Sequence, residues 1–229
     1  MSWQAPEGMD EYLKPTELCD CDNVELQRKA KEIIKDAETP KEAALKIFYF
    51  VRDGIHFGLD YPDAKASHTL KKAIGFCFNK PNLQIALLRA VGIPARCHYV
   101  HLPKEVLKDI NPRVDRLPTA TIGHLWCECY LSGNWVACEA LFDEALYKAF
   151  PKEQVPSTID WDGENNLILT KPLIVVDVGT FPSLGEMLEF ITKEEKGKVG
   201  MPPKPPKILG WLVFFLANRR INKIRKGKK

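Results

Sequence analysis

The stretch GFCFNKPNLQIALLRAVGIPAR, residues 75–96, decides how the chain reads. Asn79 and Pro81 mark the start of a strongly apolar helix from Pro81 to Val91. Gly92 closes it and Pro94 follows, the usual order of stop signals. Arg96 to His101 then predicts a strand. Cys77 lies just ahead of that helix, where the positive end of the macrodipole and the free N–H groups favour a thiolate and could hold an oxyanion. From position alone, the commoner reading is a buried cysteine between Phe76 and Phe78. Asn79 reads as the helix cap rather than a catalytic amide.

A second segment shifts that balance. His124–Leu131 and Asn134–Glu139 predict two strands around Ser132-Gly133, a hairpin signal. On the first, His124, Trp126, Glu128 and Tyr130 share one face. Leu125, Cys127, Cys129 and Leu131 share the other, which is the core face. A two-residue turn pairs Leu131 with Asn134, Tyr130 with Trp135 and Trp126 with Glu139. Glu139 is then the diagonal neighbour of His124. A carboxylate that orients a histidine, which in turn activates a thiol, is the logic of nucleophilic triads. A His–Glu surface pair is the commoner explanation when taken alone.

Taken together, these motifs resemble the transglutaminase-like superfamily. The resemblance rests on Gly-Phe-Cys77, the Arg89-to-Arg96 turn, Gly-His124-Leu-Trp126-Cys-Glu128, and Gly-Asn-Trp135 with an acid four residues later. It covers about Ala43 to Leu146, and includes a helix-like segment from Ala43 to Ile55 ahead of the cysteine. The resemblance implies a papain-like α+β fold with Cys77 as nucleophile, His124 as base and Glu139 as third member. Two positions depart from the family pattern. Glu139 stands where the family usually has Asp, which makes Asp143, four residues on, a rival. Pro81 stands where most members carry a small helix former, a change that the first helical turn tolerates.

The formal charge of +3 conceals two unlike parts. Residues 1–195 hold 22 bases and 30 acids, a net of −8, whereas the chain after Glu195 holds eleven bases and no acid. The acidic body argues against general nucleic-acid binding. The N-terminal residues are acidic and polar and read without a signal peptide, which suggests a cytoplasmic chain. Seven cysteines cannot all pair, so thiols are expected. Neither Cys19-x-Cys21 nor Cys127-x-Cys129 has zinc-ligand spacing. No metal and no cofactor is expected. His68, His98 and His101 read as ordinary surface or core residues, Arg96 as half of a structural ion pair, and Trp126 and Trp135 as cleft walls or core.

Elsewhere, Val24–Ala37 behind an Asn23 cap and Lys41–Val51 behind Thr39-Pro40 predict helices. Residues 55–65 are turn-rich, 103–121 form a polar connection, and Leu167–Leu169 and Leu173–Val178 predict short strands. Met201–Pro206 is a stiff Pro-rich linker. Ile208–Arg225 is a helix whose ten leading apolar residues span about 15 Å, half of a bilayer core. It could pack on the body, on a second copy, or at a membrane interface with Trp211 as anchor, and a lesser reading has its basic tip bind RNA. The chain therefore divides into an extension (1–39), a catalytic domain (40–195), a linker (196–207) and an apolar-basic helix and tail (208–229).

The resemblance implies a cysteine-dependent amide or acyl hydrolase, or an acyltransferase, working through a thioester. Its substrate is a protein, peptide or small amide, and no nucleic-acid partner is expected. Peripheral membrane contact through 208–229 would put it at the inner membrane surface. Two other readings of the residues remain: a binding module in which Cys77 is inert, and a membrane-surface scaffold whose tail carries the function.

Overall fold

A computed structural model describes residues 3, 6–110, 114–150, 156–202 and 204–227. Thirteen elements carry the architecture. Helices α1 (Val24–Ile33) and α2 (Pro40–Tyr49) lead through a π-turn to β1 (His56–Phe57), α3 (Ala66–Lys72) and β2 (Ile74–Gly75). Next come α4 (Asn79–Ala90), β3 (Ala95–Pro103), β4 (Thr121–Leu131), β5 (Asn134–Ala137) and α5 (Glu144–Ala149). The chain ends with β6 (Val176–Phe181), α6 (Leu184–Glu194) and α7 (Lys207–Arg225). Strands β5-β4-β3-β6 form an antiparallel sheet, and β1 pairs with β2 in parallel. This is the α+β arrangement expected of helices first and strands later.

The central helix is α4, buried from Asn79 through Arg89. Its apolar residues pack against Tyr99, Leu125 and Cys127 in the main core. Its polar residues are buried too, so each needs a partner. Backbone carbonyls supply them. Asn79 Nδ2 donates to Tyr61 at 2.8 Å, Lys80 Nζ to Arg52 and Ile55 at 2.9 and 2.6 Å, and Asn82 Nδ2 to Leu18 at 2.8 Å. Gln84 Nε2 donates to the Cys138 carbonyl at 3.1 Å, and Arg89 to Ala95, Lys14 and Pro182. A helix bound on every side to other segments cannot roll or slide, so the residues just before it are held in place.

The helix begins at Asn79, two residues earlier than its proline suggested. Pro81 sits within the first turn, where its missing N–H costs nothing. Asn79 is consequently not the cap. It is the first helical residue, its Oδ1 accepting from Phe76 N–H at 3.5 Å. At the other end Gly92 adopts φ +85°, and a Cβ there would meet the Trp3 carbonyl at 2.6 Å.

The hairpin turn has positive φ at both Ser132 and Gly133 (50° and 87°), the primed geometry that matches strand twist. Leu131 pairs with Asn134 and Tyr130 with Trp135. The ladder ends at Ala137, short of the expected Glu139. Cys138 N–H still donates to Cys127 on β4, but Glu139 N–H donates to Leu167 instead. Leu167–Leu169 contributes a single bridge rather than a strand. Lys171–Leu173, which contains Pro172, forms a turn, so the edge strand starts only at Val176. Helices α3 and α6, like the short α5, were not anticipated. Of these, α6 carries a readable signal, Ser183 capping Glu186 N–H at 3.3 Å.

All seven cysteines are free thiols; six are buried and Cys77 is partly exposed. The apolar terminal helix α7 docks on the body through Gly210, Phe214 and Ile221. Asn218 exchanges hydrogen bonds with the backbone of Leu59 at 2.6 and 3.0 Å. Arg225 grips Asp143 with two nitrogens at 2.9 and 2.7 Å and also donates to the Phe57 carbonyl at 2.9 Å. No helix among the described residues is long and apolar enough to cross a membrane.

Candidate active site

Three elements converge here. Residues 74–75 pair with β1, which fixes the approach to Cys77, and the immobile α4 fixes the exit. Cys77 packs at the margin of the main core and stays partly accessible. His124 projects from β4, whose neighbour Gly123 has no room for a side chain: a Cβ would meet the Tyr99 hydroxyl at 2.7 Å. Glu139 follows β5.

His124 and Glu139 are in direct contact, with Nε2–H donating to Oε1 at 2.8 Å and both side chains almost wholly buried. That bond leaves Nδ1 as the nitrogen free for the thiol. Burial alone would disfavour a charged imidazole. The Glu139 carboxylate, with hydrogen bonding and Coulombic contributions from Cys77, overrides it and pushes His124 up to about 10. The ring is thus suited to exist as an imidazolium beside sulfur.

The second carboxylate oxygen of Glu139 is also engaged. Leu169 and Thr170 N–H donate to Oε2 at 2.6 and 3.3 Å, so the carboxylate cannot swing away from the ring. These two residues were not anticipated. They act mainly through backbone atoms, with the Thr170 hydroxyl also donating to Oε2 at 3.5 Å, and only the turn-forming Thr170-Lys171-Pro172 hints at them. Tyr99 is a further unanticipated neighbour. Burial, Glu195 and Cys77 all push its phenol up, and its hydroxyl donates to Glu195 at 3.0 Å.

Asp143 lies elsewhere. Its carboxylate caps α5 through Leu146 N–H at 3.0 Å, accepts from Phe57 N–H at 3.1 Å and is held by Arg225. Desolvation opposes its charge, but Arg225 and the backbone donors pull it down to about 2.

The surrounding face is built from ion pairs and rings. Arg96 bonds Glu128 at 2.8 Å and lies over Trp135 at 4.1 Å. His98 stacks on Trp126 at 4.5 Å while bonding Glu128 and Asp177 at 2.8 and 2.7 Å. Trp126 is buried, 6.4 Å from the His124 ring. His68 and His101 face Asp60 and Glu195 at 3.3 and 2.9 Å. None of these is part of a metal-ligand cluster among the described residues. Burial pushes Cys97 up to about 12 and Cys127 upward as well, so these thiols are packing groups.

A thiol leading into a buried helix, beside a histidine anchored on an antiparallel sheet, defines the papain-like class of α+β fold. Residues 27–140 match the core of the transglutaminase-like superfamily, and the chain belongs to that superfamily. Among solved structures it resembles a candidate cysteine protease from Cytophaga hutchinsonii (TM-score 0.53, 19% identity, 80% of this chain and 50% of that one). A candidate protease from Parabacteroides distasonis matches at TM-score 0.38 and 15% identity, over 56% of this chain and 24% of that one. Red sea bream transglutaminase matches at TM-score 0.35 and 15% identity, over 58% and 26%. The chain spans about half the length of the first of these structures. A comparison with curated proteins returns no match.

Proposed function

We propose that the chain is a cysteine-dependent amide hydrolase in which Cys77 is the nucleophile, His124 the general base and acid, and Glu139 the residue that orients it. The observation that carries this reading is the 2.8 Å Nε2···Oε1 contact, which commits one ring nitrogen to Glu139 and leaves Nδ1 for the thiol. Nδ1 takes the thiol proton and sulfur adds to the carbonyl carbon of an amide. The N–H groups at the start of α4 hold the resulting oxyanion. The tetrahedral adduct collapses to a thioester as the C–N bond breaks, and the imidazolium protonates the departing amine. Water, deprotonated by the imidazole, then cleaves the thioester to carboxylic acid and free thiol. An amine in place of water would give acyl transfer through the same intermediate. Hydrolysis is preferred because the fold match that spans most of the chain is with a candidate cysteine protease. The substrate class is a protein, peptide or small amide.

The test is the pH dependence of Cys77 alkylation by iodoacetamide. The wild type is expected to react well below pH 8.5, and His124→Ala to lose that low-pH reactivity. A single thiol titration near 8.5, identical in both proteins, would sink the triad.

A further inference from the structure

The docked helix α7 leaves an outward side that the fold does not use. At 100° per residue, Gly210, Phe214, Asn218, Ile221 and Arg225 share the inward side. Ile208, Leu209, Trp211, Leu212, Phe215 and Leu216 are exposed, Ile208 at 80% and Trp211 at 69%. Farther along the same outward side come Arg219, Lys223 and Lys226, all exposed. The helix is therefore apolar over its first turns and basic over its last. A contiguous exposed patch of large apolar side chains on one helix marks an interaction surface. Next to it a groove of about 640 Å³ between α3 and α7 combines Tyr61, Trp211 and Phe215 with Lys72, Lys207 and Arg219.

We propose that the outward face of α7 seats the protein on an anionic lipid surface, the apolar turns entering the interface and the basic turns meeting headgroups. Charge selects this occupant over a second copy. A symmetric dimer through this face would bring together two segments with eleven bases and no acid each, whereas anionic headgroups neutralise them. The length agrees: the apolar turns reach about 15 Å, enough to enter an interface but not to span it. The acidic body, net −8, is repelled by the same surface and stays on the water side. Because Arg225 and Asn218 bolt the helix to residues 57–59, the body would sit at a fixed orientation rather than swing on a tether.

The experiment is vesicle co-sedimentation of the full chain, with sedimentation velocity run in parallel without lipid. The expected result is pelleting with phosphatidylcholine vesicles containing about one-third phosphatidylglycerol, little with phosphatidylcholine alone, and weakening by salt. Trp211→Glu with Phe215→Glu is expected to lower the partition coefficient at least about tenfold while leaving thermal unfolding near wild type, since both side chains stay more than half exposed at the rim of the groove. Arg219→Glu with Lys223→Glu is expected to abolish the preference for phosphatidylglycerol. Undiminished binding by the Trp211/Phe215 variant overturns the assignment of the apolar face. A concentration-dependent dimer that this variant dissociates, without vesicle binding by the wild type, overturns it in favour of a second copy.

Discussion

Glu139 and Asp143 stand four residues apart, both buried and both paired with a basic side chain, one from the adjoining hairpin strand and one from the far terminal helix. Glu139 holds His124, whose ring is kept up at about 10 and so carries the proton that the proposed mechanism hands to the leaving amine. Asp143 holds an arginine, and guanidinium groups in proteins stay charged and pass no proton. One pair can therefore drive chemistry and the other can only fasten, although their geometry is similar. The fastening pair joins the terminal helix to Phe57, and β1 is the strand beside which residues 74–75 approach Cys77. Substitutions at the first pair should act on reactivity, and substitutions at the second on stability.

The largest effect is expected at the base. His124→Ala should slow Cys77 alkylation at pH 7, and any amide hydrolysis found for the chain, by about 10³-fold. Circular dichroism should stay native. At the fastening pair, Arg225→Met strips one partner from a buried carboxylate and should cost about 3 kcal/mol in urea unfolding. Cys77 in the folded fraction should react within about twofold of wild type. A large loss of reactivity there, without loss of stability, would erase the distinction between the pairs.

Glu139→Gln sharpens the comparison at intermediate size. The amide can still reach Nε2, but the negative charge that raises His124 is gone. Alkylation at pH 7 should slow by about tenfold and the titration of His124, followed by ring NMR, should move down from about 10. Asp143→Asn should leave that titration unmoved.

Much of this was legible in residues 75–96 and 124–139, because local rules govern both. A proline and an asparagine open a helix, a glycine closes it, and Ser132-Gly133 sets a register that brings His124 towards the carboxylate. What could not be read depends on segments remote in sequence. Glu139 is immobilised by N–H groups at 169 and 170, which no side-chain pattern reveals. Asp143 could be separated from Glu139 only by knowing that Arg225, 82 residues on, folds back to it. The short α3 was hidden for another reason: Asp60, Pro62 and Asp63 give its approach the look of a loop, and seven residues hold too few periods to overrule that reading.

The two pairs also respond to pH at opposite ends. The folded state holds His124 up at about 10, above the ordinary 6.5, so its contribution is complete below about pH 6.5 and is lost as pH rises through 10. Asp143 is held down at about 2, below 3.8, so its contribution is complete above about pH 3.8 and is lost as pH falls through 2. Lys80 complicates the alkaline side. Burial lowers it to about 7, which adds stability as pH rises from there towards 10.5. The difference in unfolding free energy between wild type and His124→Ala cancels Lys80 and should shrink from pH 7 to 10. A flat difference would mean that His124 is not held charged.

The smallest effect tests the fastening helix without touching any charge. Gly210 faces Tyr61 so closely that a Cβ would come within 1.9 Å of the phenol oxygen. Tyr61 cannot yield freely, because its ring packs edge-on against Phe214 at 4.9 Å and its backbone carbonyl accepts from Asn79. Gly210→Ala should thus lift the first turns of α7 and cost about 1 kcal/mol by overpacking, even though alanine favours a helix. Arg225 lies four turns away and should keep its hold on Asp143, so the loss should add to that of Arg225→Met in the double variant. A double variant no less stable than Arg225→Met alone would show that α7 detaches as one unit once Arg225 is gone. The ion pair, rather than the apolar turns, would then be what keeps the helix on the body.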